Sequence, residues 1–80
     1  MSHQTVPLTA LLEGQTAKVQ LLRVQGSMRR RLQDLGVIQG TPIQCLQRSP
    51  AGDPVAYRIR GTTIALRQRD CQDILVEANF

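Results

Sequence analysis

Between Thr16 and Leu22, apolar and polar residues alternate: Ala17, Val19 and Leu21 fall on one face, Lys18 and Gln20 on the other. A period of two marks a half-covered strand. Leu22 and Val24 interrupt the polar side. The strand's far end is therefore either covered on both faces or carries an exposed apolar spot for a partner, with Leu22 the candidate. Gly26 breaks the strand, and the period then changes. Met28, Leu32 and Leu35 are spaced i, i+4 and i+7, a single apolar stripe at helical spacing, with Ser27 suited to the N-cap and Gly36 to the position beyond the C-cap.

Upstream, residues 1–6 read as a flexible polar tail, and a single domain runs over 7–80. Thr9 suits the N-cap of a short turn ended by Gly14, which would tuck Leu8, Leu11 and Leu12 beneath the following strand. Downstream, alternation returns at 41–48, 55–60, 63–67 and 74–78, separated by turn-forming residues over 49–54 and at Gly61-Thr62. Cys45 falls on the inward parity, as a small apolar filler. Asp70 is placed to cap a helical turn over 69–73. Five short strands and one inserted helix predict a mainly β domain, closed into a small barrel that leaves no exposed sheet edge.

Composition narrows the chemistry. Eighty residues, 41% of them hydrophobic, suffice for one compact core. No apolar run approaches the roughly 20 residues of a membrane-spanning helix, and the start lacks the pattern of a signal peptide. These features place the chain in the cytoplasm, without direct membrane insertion. Two cysteines are too few for a disulfide framework and form no CxxC pair.

The net charge of +4, with arginine supplying nine of ten basic residues, favours an anionic partner. Arg29, Arg30 and Arg31 crowd the start of the helix, where positive charge opposes the helix dipole. Such placement against local preference suggests docking, beside the plainer role of a solvated face. Arg58, Arg60, Arg67 and Arg69 fall outward on the later strands and extend the basic set. A basic nucleic-acid-binding barrel is the alternative. With one Tyr, one Phe and no Trp, the chain lacks the aromatic platforms on which single strands stack, so nucleic acid is disfavoured.

Catalytic machinery finds no support. The sole histidine, His3, lies in the polar tail, and no nucleophile has a base at a fixed spacing. Asp70 and Asp73 are explained by capping, and no phosphate-binding glycine motif is present. Metal ligands show no cluster at usable spacing. The sequence gives no catalytic residue, no metal site and no cofactor.

The stretch RLQDLGVIQG, Arg31 to Gly40, resembles the FeoA family, as does SPAGDPVAYRIRGTTIALRQRDCQDILVE, Ser49 to Glu77. PLTALLEGQTAKV, Pro7 to Val19, is similar to the usual start of that family. The order of these blocks covers nearly the whole chain. The resemblance implies an SH3-like β-barrel with an inserted short helix. It further implies a non-enzymatic accessory role in bacterial ferrous-iron uptake, docking on the cytoplasmic part of the FeoB transporter. Recruitment to the inner face of the membrane through that partner, and self-association, are compatible with it. The family is often linked with transition metals, for which this sequence offers few ligands. Leu22, Arg29, Arg30 and Arg31 are the residues expected to bind the partner.

Overall fold

The computed structural model describes residues 3–79. The chain forms strand β1 (His3–Pro7), a single 3-10 turn (Leu8–Ala10), β2 (Thr16–Leu22), helix α1 (Gly26–Asp34), β3 (Pro42–Arg48), β4 (Val55–Ile59), β5 (Thr62–Leu66), the one-turn helix α2 (Gln68–Cys71) and β6 (Ile74–Asn79). All six strands lie in one antiparallel sheet of order β1-β6-β2-β3-β4-β5. Hydrogen bonding does not close this sheet into a barrel, so β1 and β5 are its edges.

The sixth strand comes from the segment read as a tail. Residues 3–6 pair with β6 in a regular antiparallel register, Thr5 opposite Glu77 and Val6 opposite Val76. Polar Gln4 and Thr5 are exposed there, which is compatible with an edge strand covered on one face. Residues 1–2 of that tail lie outside the described residues. The turn after Pro7 starts at Leu8 rather than after Thr9 and buries Leu8 and Leu11. Leu12, expected beneath the next strand, is 62% exposed. Arg48 holds this segment down: its guanidinium donates to the Leu11 carbonyl at 3.1 Å, and its backbone N–H donates to Glu13 Oε2 at 2.8 Å.

Between β2 and β3 lies α1. Leu32 is fully buried, and Met28 and Leu35 pack against the core, as the i, i+4, i+7 stripe requires. Burying Leu32 alone stabilises the fold by about 2 kcal/mol. The helix begins at Gly26, whose φ of 66° turns the chain inward, and Ser27 provides no cap. Arg31 consequently lies in the last turn, where positive charge suits the dipole. The C-terminus follows the expected Gly36. Gly36 has φ 87°, its N–H donates to the Gln33 carbonyl, and the Val37 N–H reaches back to Leu32 at 3.0 Å. This pair of bonds is a Schellman ending, with Val37 and Leu32 both buried.

The two-residue turn Arg60-Gly61 joins β4 to β5, Ile59 opposite Thr62. Both turn residues have positive φ, 50° and 79°, the geometry of a type I′ hairpin. Arg60 leans across Gly36, so that a Cβ on Gly36 would lie 2.8 Å from Arg60 Cδ. Gly36→Ala therefore combines left-handed strain with a displaced arginine and is expected to destabilise by about 1–2 kcal/mol. Urea unfolding checks this, and an Arg60→Ala background should relieve only the steric share.

Candidate functional site

Where β2 meets β6, the register shifts between Val19 and Leu21. Gln20 is the extra residue of a β-bulge. One added residue exchanges the two faces for everything beyond it. Leu21, expected inward, is therefore 49% exposed, while Leu22 is half-buried against the core. The exposed apolar spot expected at Leu22 belongs to Leu21 instead.

Across from Leu21, the α1–β3 connection exposes Ile38 to 65%. Thr41 fixes that connection. Its buried hydroxyl accepts from the Ile38 N–H at 3.0 Å and donates to the Gly36 carbonyl at 3.3 Å. Between the two exposed side chains runs a groove of 270 Å³, floored by Val19 and Val37 and flanked by Leu22, Arg29 and Gln33. Arg29 and Gln33, one helical turn apart, share the flank of α1 that faces β2. The Arg29 guanidinium donates to the Leu22 carbonyl at 2.7 Å, tying the helix to the end of the bulged strand. Arg29 thus has a structural role and borders the groove at the same time.

Arg30 and Arg31 do not join it. Both are exposed on another flank of α1, around an open hollow shared with Ser27, Asp34 and Leu35. The four sequence candidates therefore fall into two groups: Leu22 and Arg29 at the groove, Arg30 and Arg31 on the outer helix face. Leu21 and Ile38 were missed. Ile38 had a readable signal, since two consecutive apolar residues, Val37 and Ile38, cannot both face a thin core. The bulge that exposes Leu21 had none.

The remaining chemistry is closed off from solvent. Cys45, Cys71 and Tyr57 are fully or almost fully buried. Burial pushes the Cys71 thiol from 9.0 up to about 11, and the Tyr57 hydroxyl beside it only partly offsets this. Burial also raises Cys45 and Tyr57. Protonated, enclosed thiols make poor nucleophiles and poor metal ligands. Among the described residues, no group of three or more His, Cys, Asp or Glu side chains converges on a metal-sized site. The described residues do not fit a resident metal. No helix of the described residues is long and apolar enough to cross a membrane.

Two outcomes are expected from this geometry. The unfolded Cys71 thiol ionises near 9.0 and the folded one near 11. Stability from burying it neutral is intact below pH 9 and is lost as pH rises towards 11. Urea midpoints across that window should fall for the wild type and fall less steeply for Cys71→Ala. Arg29→Ala should cost about 1 kcal/mol through the lost charged hydrogen bond, whereas Arg30→Ala should stay within about 0.5 kcal/mol. Equal costs in the same urea titration would show that the Arg29–Leu22 bond carries no weight.

The FeoA domain matches residues 6–78. A Fe(2+) transport protein A/Fe(2+) transporter FeoB fusion protein of Porphyromonas gingivalis is 34% identical over 70 residues, 88% of this chain. The chain spans only 8% of the length of that relative. Among solved structures, the FeoA protein of Chlorobium tepidum superposes with a TM-score of 0.85 at 30% identity, covering 90% of this chain and 69% of that one. The FeoA of Stenotrophomonas maltophilia complexed with zinc, described as a prokaryotic SH3 domain protein, gives 0.76 at 25% identity, covering 91% and 88%. The six-stranded sheet with its inserted helix is accordingly an SH3-like fold, and the chain belongs to the FeoA domain family.

Proposed function

We propose that this chain is a non-enzymatic accessory module of bacterial ferrous-iron uptake that works in the cytoplasm by docking on the cytoplasmic part of a FeoB-type transporter. The observation that carries this reading is the fusion of a similar domain to FeoB in the P. gingivalis relative. Fusion keeps two partners at a high effective concentration, which benefits a pair whose contact is useful but weak.

The groove between Leu21 and Ile38 is the primary docking face. Leu21 and Ile38 offer apolar area on a backbone fixed by the bulge and by Thr41, so binding orders little that is not already ordered. Leu22 and Arg29 shape the groove wall. Arg30 and Arg31, free of the core on the outer helix face, steer an acidic surface towards it and act mainly on the association rate. Arginine suits that position because its planar fork pairs with carboxylates.

Calorimetry of the purified protein against the cytoplasmic region of its cognate transporter, with and without guanine nucleotide, tests the proposal. Leu21→Glu combined with Ile38→Glu should weaken binding by at least about tenfold while leaving the fold intact, since both side chains are exposed. Arg30→Glu with Arg31→Glu should slow association and flatten its salt dependence. Affinity unaffected by either pair would remove the groove and the helix face from the contact. Saturable binding of duplex DNA in place of the transporter region would favour the nucleic-acid alternative.

A further inference from the structure

The free edge of β5 is a second surface with recognisable chemistry. In a two-residue hairpin, the residues flanking the turn exchange both backbone hydrogen bonds, and the pairs then alternate. Ile59–Thr62, Tyr57–Ile64 and Val55–Leu66 are therefore the bonded pairs, and Arg58–Thr63 and Ala56–Ala65 the non-bonded ones. The N–H and C=O groups of Thr63 and Ala65 point away from β4, where no further strand follows in the sheet. Open edges are usually blunted by lysine, proline or a bulge. β5 has none of these: it reads TTIAL, pairs in unbroken register and buries Ile64 and Leu66 on its other face.

What flanks this edge is asymmetric. On the outward face, the Ala56–Ala65 pair leaves a 200 Å³ hollow bounded by Gln47, Ser49 and Pro54. The Ser49 hydroxyl is buried there without a hydrogen-bond partner. Arg58 stands opposite Thr63 at one end. Arg67, of the same parity as Thr63 and Ala65, follows at the other end, and both arginines are exposed. The nearby carboxylate of Asp53 is committed elsewhere, accepting from the Gln68 N–H at 2.9 Å. The other edge, β1, holds neither arginine nor such a hollow among its described contacts.

We propose that the β5 edge accepts an extended acidic segment of a partner protein as a seventh strand. Its main chain bonds to Thr63 and Ala65, one side chain seats over the Ala56–Ala65 hollow, and carboxylates to either side meet Arg58 and Arg67. Strand addition of this kind takes affinity from the backbone and specificity from alternate side chains. Charge decides against a second copy of this chain as occupant. Antiparallel pairing of two β5 strands would bring Arg67 of each copy towards Arg60 of the other, placing like charges together. This surface is separate from the Leu21–Ile38 groove and does not depend on the docking reading given above.

The probes are a capped peptide of alternating Val and Glu residues and its Val and Lys counterpart, titrated into the full chain and followed by two-dimensional NMR. The Glu peptide should shift the Thr63 and Ala65 amides and slow their hydrogen exchange, and should bind at least about tenfold more tightly than the Lys peptide at low salt. Ala65→Pro removes the outward N–H at an edge position that tolerates proline, and should abolish the shift at Thr63. Arg58→Glu with Arg67→Glu changes only exposed side chains and should reverse the preference between the two peptides, which keeps the test valid if Ala65→Pro fails to fold. Equal binding of both peptides, shifts confined to the Leu21–Ile38 groove, or no shift at millimolar peptide would each overturn the proposal.

Discussion

The pairing of β2 with β6 across the bulge at Gln20 sets the arrangement of the proposed docking face. Before the bulge, Ala17 and Val19 point into the core with Val76 opposite Val19; after it, Leu22 leans inward and Leu21 outward. Because side chains alternate with a period of two, one inserted residue is enough to turn a core leucine into a surface one. Bulged strands also twist more strongly, and the end of β2 meets the first turn of α1 through the Arg29–Leu22 bond. Removing Gln20 would leave Leu21 directly after Val19 in unbroken register against Leu75 and Ile74, still outward, but without the local twist that the bulge gives the end of β2.

The second wall depends on how α1 ends. The Schellman bonds at Gly36 reverse the chain, and the Thr41 hydroxyl then spans the Gly36 carbonyl and the Ile38 N–H. Ile38 is held outward by backbone hydrogen bonds rather than by packing. A side chain positioned this way loses little conformational freedom when a partner covers it, which is a condition for an exposed isoleucine to contribute to binding. Arg60, lying across Gly36, couples this ending to the β4–β5 hairpin. The groove and the free β5 edge are therefore supported by the same rigid segment, although they open in different places.

Much of this was legible in the sequence, for physical reasons that can be named. The helical stripe Met28, Leu32, Leu35 and its stop at Gly36 could be read because spacing and a left-handed glycine are local properties. The strands at 42–48, 55–59 and 62–66 were visible because each has one covered face. β1 was not, because an edge strand of polar residues, His3-Gln4-Thr5, owes its existence to β6, more than 60 residues away in sequence. The bulge at Gln20 was hidden for a related reason: it arises from register against β6 and leaves no compositional mark. The candidates Arg29, Arg30 and Arg31 looked equivalent in sequence. Successive residues on a helix point about 100° apart, and this alone separates Arg29, turned to β2, from the two that meet solvent.

Six of the nine arginines are used in two distinct ways. Arg29 and Arg48 direct their guanidinium groups at backbone carbonyls of the chain itself, Arg29 at Leu22 in the last position of β2 at 2.7 Å and Arg48 at Leu11 just after the 3-10 turn at 3.1 Å. Each supplies a charged donor to a carbonyl at the end of a strand or turn. Arg30, Arg31, Arg58 and Arg67 are exposed, and on a chain of net charge +4 they lower the stability of the compact state slightly through mutual repulsion. A domain of 80 residues has little stability to spare. In the proposed docking, a partner's carboxylates would relieve this repulsion on binding, so the same charges that cost the free domain stability would favour its bound state.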